Sequence, residues 1–159
     1  MRKFLTTLML CLLLYPSVSL AEFKWVESYD FDDSIGYEDW YNSRVMGKSI
    51  TYWKMRDYFN LQDDERGQFL STLVLQILDC SDLSVTIQFV ENYSGQMGTA
   101  ELVHIDKFSK AEREEVKEFF KPSTFNYATY SNICKDTFVN GLGGTQDWWL
   151  EIYEATTQR

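Results

Sequence analysis

Histidine is nearly absent from this chain of 159 residues: there is one, His104. A catalytic triad needs a nucleophile and an acid placed around an imidazole, and no G-x-S-x-G elbow surrounds Ser94 or Ser109. His104 stands between Val103 and Ile105, which predicts a strand-face residue rather than a base. One histidine and a few cysteines also serve zinc poorly, and no cofactor is expected. Proline (2) and glycine (8) are scarce, which removes collagen-like and linker-like readings. Basic side chains are outnumbered, 15 Lys and Arg against 24 Asp and Glu, for a net charge of −9. That balance argues against nucleic acid, which wants a basic stripe, and against anionic membrane surfaces. There is no internal repeat and no low-complexity tract.

What the chain does have is a core. Hydrophobic residues make up 45% and aromatics 16%, enough for one packed domain and too much for a disordered one. Residues 1–21 stand apart. Arg2 and Lys3 precede an apolar run from Phe4 to Tyr15, Pro16 breaks it, and Ser19-Leu20-Ala21 supplies small residues at −3 and −1. This predicts a cleaved export signal. The run is short of the roughly 20 residues a membrane span needs, and no later stretch is long enough. The mature domain, 22–159, would lose Arg2 and Lys3 but no acid, leaving 13 basic against 24 acidic side chains, a charge of −11. Cys11 leaves with the signal. Cys80 and Cys134 remain, and they allow a single pairing. An exported compartment favours the disulfide over two free buried thiols. Closing a loop of about 54 residues would stabilise the fold by roughly 4 kcal/mol.

Strands are predicted over 23–29, 35–41, 48–59, 69–80, 83–93 and 99–106, with period-two alternation in 23–29, 48–59 and 83–93. In 48–59, Ile50, Tyr52, Lys54, Arg56 and Tyr58 share one face, with Thr51, Trp53, Met55, Asp57 and Phe59 on the other. The most apolar stretch, 69–80, should lie centrally. In 83–93, Leu83, Val85, Ile87 and Phe89 share a face. Short polar turns at 62–67, 79–82 and 94–98 join these strands into an antiparallel meander of about six strands. The period then changes. Ser109 and Glu112 form a capping box, and Val116, Phe119 and Phe120 follow at helical spacing until Pro122. Ser123 is the expected cap of a second helix reaching Cys134, with Tyr127, Tyr130, Ile133 and Cys134 near one face. A last strand is predicted over 146–156, and if it finds no edge to pair with, Trp148 and Trp149 leave a sticky surface. Strands first and helices after give an α+β fold, with the C-terminal helix packed on the sheet and tied to it by the disulfide.

Asp30, Asp32, Asp33, Glu38 and Asp39 form an acidic cluster, but Ile35 and Tyr41 occupy the positions where a calcium loop needs Gly and Glu. A solvated turn is the expectation. Paired carboxylates for glycoside hydrolysis cannot be selected from sequence spacing.

Several segments together carry a resemblance: Trp25; Tyr37-Glu38-Asp39; the run from Gly47 through Trp53 to Asp57-Tyr58; Asp79-Cys80; the stretch Tyr93-Ser94-Gly95-Gln96-Met97-Gly98-Thr99-Ala100-Glu101; Pro122-Ser123; and Cys134. Over about 23–135 the chain resembles the bacterial surface-adhesin protein E family, small exported proteins of Gram-negative bacteria. Residues 136–159 extend past it. The resemblance implies an antiparallel sheet with a disulfide-fastened C-terminal helix. It also implies a periplasmic or outer-surface location, and adhesive binding to host matrix glycoproteins rather than catalysis.

The expected function is therefore binding of a protein or glycoprotein partner, through Tyr52, Trp53, Tyr93, Met97, Gly98, Trp148 and Trp149. A homodimer formed along an aromatic-rich edge strand is a further expectation. Two other readings stand beside it: a periplasmic inhibitor or chaperone-like factor that captures a basic protein, and a small cell-wall hydrolase.

Overall fold

The computed structural model describes residues 23–138. The expected signal segment, the strand predicted over 146–156, Trp148 and Trp149 lie outside them. Six strands run antiparallel in chain order: β1 Val26–Phe31, β2 Ser34–Met46, β3 Ser49–Asp64, β4 Gly67–Asp79, β5 Ser84–Tyr93 and β6 Leu102–Lys107. A two-residue strand, β7 Glu118–Phe119, pairs with Ser84 and Val85 of β5. Helix α1 spans Lys110–Glu115 and α2 spans Phe125–Phe138. The α+β meander expected from the alternation is the observed fold, with β3 and β4 central. Among the described residues no helix is long and apolar enough to cross a membrane.

Directly paired residues share a face. The rows Ile50–Leu78–Val85 and Tyr52–Gln76–Ile87 lie on the side that α2 covers. The rows Trp53–Leu75–Phe89 and Thr51–Ile77–Thr86 lie on the helix-free side. In β5 an extra residue, Gln88, interrupts the pairing, so that Ile87 faces Gln76 while Phe89 faces Leu75. Val85 and Ile87 therefore share a face as expected, but Phe89 does not join them; a bulge reverses the alternation beyond it.

The capping box at Ser109 is real: the Ser109 amide donates to Glu112 Oε2 at 2.7 Å and the Glu112 amide to Ser109 Oγ at 3.4 Å. The helix it starts is shorter than expected, ending before Val116. Phe119 lies in β7, and the Phe120 amide donates to the Leu83 carbonyl at 3.1 Å. The reason is an unfilled edge. β6 pairs with β5 only from Phe89 onward, so at Ser84–Val85 the edge of β5 away from β4 would stay open without β7. Pro122 thus follows a strand rather than stopping a helix. The cap of α2 is Thr124, whose Oγ1 accepts the Tyr127 amide at 3.1 Å.

Tyr130, Ile133, Cys134 and Thr137 form the buried stripe of α2. The first three pack on Trp40, Ile50, Tyr52, Leu78 and Val85. The Trp40 and Tyr52 rings stack at 4.0 Å, and those of Phe120 and Tyr130 at 4.6 Å. Cys80, just past β4, is bonded to Cys134 with their Cα atoms 5.5 Å apart, an ordinary disulfide separation.

Candidate binding surfaces

Under α2 the sheet buries an ion pair. Glu38 and Lys54 are direct cross-strand partners, and Lys54 Nζ lies 3.2 Å from Glu38 Oε1. The carboxylate also accepts from Trp40 Nε1 at 2.8 Å, Tyr130 OH at 2.9 Å and Tyr29 OH at 3.3 Å. Tyr52 OH donates to Gln76 Oε1 at 2.9 Å, beside the Tyr130 oxygen at 3.3 Å. Nothing in the sequence marked Glu38 as this hub. The acidic cluster was expected to be a solvated turn, and Asp30, Asp32 and Asp33 do flank the exposed β1–β2 turn. Glu38 and Asp39, however, are buried in β2. Asp39 holds a bulge: its oxygens accept from Asn42 N at 3.2 Å, Asn42 Nδ2 at 2.6 Å and Lys24 N at 3.3 Å.

These surroundings hold protons on. Burial, then the Glu38 charge, pushes the Tyr52 and Tyr130 phenols well above the usual tyrosine range. Tyr29 rises for the same two reasons. Burial alone would lower Lys54, but Glu38 and Tyr29 outweigh it and the net shift is upward. In each case the folded state binds its proton more tightly than the unfolded chain. Their contribution is complete below the unfolded values, about pH 10 for both residue types, and is lost as pH rises through the folded ones. Denaturant midpoints should thus be unaffected by these groups from neutrality to about pH 9 and fall steeply above about pH 10, which a pH series of unfolding curves checks.

Beside this cluster, a groove of about 420 Å³ opens between β1–β4 and the start of α2, with Lys54, Gln76 and Phe125 in its lining. A second groove, of about 610 Å³, lies on the helix-free face around Trp53, Leu75, Thr51, Met46 and Phe23. There the Phe23 ring stacks on Trp25 at 5.0 Å and meets Trp53 edge-on at 5.8 Å. Met46 at its rim is 72% exposed.

The loop after β5 folds back on the helix-free face. Its single turn of 3-10 helix, Gln96–Gly98, is pinned by Met97 N donating to Asp57 Oδ1 at 2.7 Å and Gly98 N donating to Ser71 Oγ at 2.9 Å. Gly98 has φ +67°, and a Cβ there would stand 2.9 Å from Leu73 Cδ1. Gly98→Ala should therefore cost about 1–3 kcal/mol, measured by denaturant unfolding.

The expected binding residues are thus dispersed. Tyr52 is fully buried and offers a partner no surface. Trp53 lines the larger groove. Met97 is exposed on the pinned loop, and Gly98 shapes that loop. Tyr93 is half-buried, its hydroxyl donating to Glu91 at 2.9 Å; burial and this carboxylate push its phenol up to about 12. His104 lies in β6 with Nε2 2.9 Å from Asp106 Oδ1, beside Arg66. Among the described residues no three His, Cys, Asp or Glu side chains gather as a metal site.

The family model for surface-adhesin protein E matches residues 25–135, and the chain belongs to that family. Protein E from non-typeable Haemophilus influenzae is similar in structure: TM-score 0.53 at 14% identity, covering 86% of this chain and 99% of that one. A selenomethionine form of H. influenzae protein E gives TM-score 0.45 at 16% identity, covering 72% of this chain and 96% of that one. Its crystal form II gives 0.43 at 14% identity, covering 72% and 98%. No curated protein matches the sequence.

Proposed function

We propose that this protein is an exported, non-enzymatic adhesin that presents the helix-free face of its sheet to a protein or glycoprotein partner. The observation that carries this reading is the groove around Trp53, with Met46 exposed at its rim. Aromatic and methionine side chains of this kind are what interface centres favour. Family membership supports the adhesive role and an outer-surface location. A homodimer along the outer edge of β1, unpaired among the described residues, belongs to the same reading.

A second reading, capture of a basic envelope protein, rests on 24 acidic against 15 basic side chains. Surface plasmon resonance separates the two. Matrix glycoproteins immobilised beside a lysozyme-type basic protein should retain the purified chain from low to high salt. Retention by the basic protein alone, lost at high salt, would replace the adhesin reading with the second.

A further inference from the structure

The smaller groove, on the α2 side, is chemically different from the Trp53 face. Its walls are the Phe31 and Phe125 rings, 42% and 56% exposed, and its floor includes Val74. Both of its cations are already balanced. Lys54 pairs with Glu38, and Arg56 places Nη2 2.9 Å from Asp33 Oδ1 and donates Nε to Ser34 Oγ at 2.7 Å. A charged ligand would find no unmatched counter-charge, so the groove suits a neutral one. Donors are nevertheless left over. Tyr52 donates to Gln76 Oε1, which fixes the amide so that its Nε2 is the free end. Asn126 at the start of α2 adds a second side-chain amide to the lining. At about 420 Å³ the groove falls within the ~300–1,000 Å³ of small-molecule sites, with apolar walls and few polar groups.

We propose that this groove binds a neutral N-acetylated sugar. The pyranose face lies on the exposed Phe125 ring, with Phe31, whose ring already carries the Arg56 guanidinium at 4.5 Å, as the side wall; the acetamido carbonyl accepts from Gln76 Nε2, and the acetamido methyl rests on Val74. This is independent of the Trp53 surface and goes beyond the adhesin reading, since a glycan site needs no partner protein.

The test is titration of the mature protein with N,N′-diacetylchitobiose, following the side-chain amide signals of Gln76 and Asn126 by NMR. Saturable shifts with Kd on the order of 1 mM are expected. Phe125→Ser, at an exposed position, should weaken binding at least about tenfold with an unchanged melting temperature. Asn126→Ala should weaken it also. Non-saturating shifts, or Phe125→Ser binding as well as wild type, would overturn the site. The N-acetylglucosaminyl–N-acetylmuramic acid disaccharide of cell wall carries a carboxylate and should bind more weakly, as a site for a neutral sugar requires. Equal or tighter binding would overturn the neutral-ligand assignment.

Discussion

Replacing Cys80 and Cys134 together by alanine is expected to lower the unfolding free energy by about 4 kcal/mol. The bond closes a 54-residue loop, so its removal releases that much chain entropy in the unfolded state. It is also the one covalent tie between α2 and the sheet among the described residues, and α2 carries the lid of the core in Tyr130 and Ile133. Urea unfolding should show the midpoint falling sharply. Measurement of the oxidised and reduced wild type side by side separates the loss of the bond from the loss of sulfur in the core. A reduced protein as stable as the oxidised one would mean that packing alone seats the helix.

The second large effect belongs to Glu38. Glu38→Gln keeps the shape but removes the charge that Lys54, Trp40 and Tyr130 are arranged around. Leaving a buried charge without its partner costs about 3–5 kcal/mol. Lys54 keeps a quarter of its side-chain surface, so the lower end, about 3 kcal/mol, is expected once water shares its charge. Adding Lys54→Met should recover much of that loss, because a well-packed apolar replacement of a buried ion pair is close to neutral. A double variant as unstable as the sum of the two singles would show that the tyrosine network, rather than the ion pair, sets the energy.

The strands were legible because one buried face forces alternation, and β3 shows it with Ile50 and Tyr52 facing α2 and Trp53 facing away. The disulfide was legible because, with the expected signal segment set aside, only two cysteines remain to pair. Local register was not. Counting back from the β2–β3 turn, where Met46 faces Ser49 and Arg44 faces Thr51, Lys54 would oppose Tyr41. The bulge after Asp39 shifts the register so that Lys54 meets Glu38 instead. The whole polar hub follows from that slip, which Asp39 and Asn42 stabilise through contacts no spacing rule reports. Phe119 failed for a related reason. Its spacing from Val116 fits a helix, but the open outer edge of β5 at Ser84–Val85 gives its backbone a better partner. Tyr52 and Trp53 are adjacent aromatics with equal claims in the sequence, and only the side of the sheet that α2 covers separates core from surface.

That division of faces is the centre of the proposed function: the α2 side carries the buried core and the Glu38 hub, and the Trp53 side is the one proposed to meet the protein partner. Binding of Trp53→Ala to immobilised matrix glycoproteins tests it most directly, with Phe119→Ser, exposed in β7, as the comparison and melting curves confirming that both fold. The account predicts that Trp53→Ala loses at least about tenfold in affinity, roughly 1.4 kcal/mol, while Phe119→Ser binds as wild type. A folded Trp53→Ala protein that binds as tightly as wild type would contradict it.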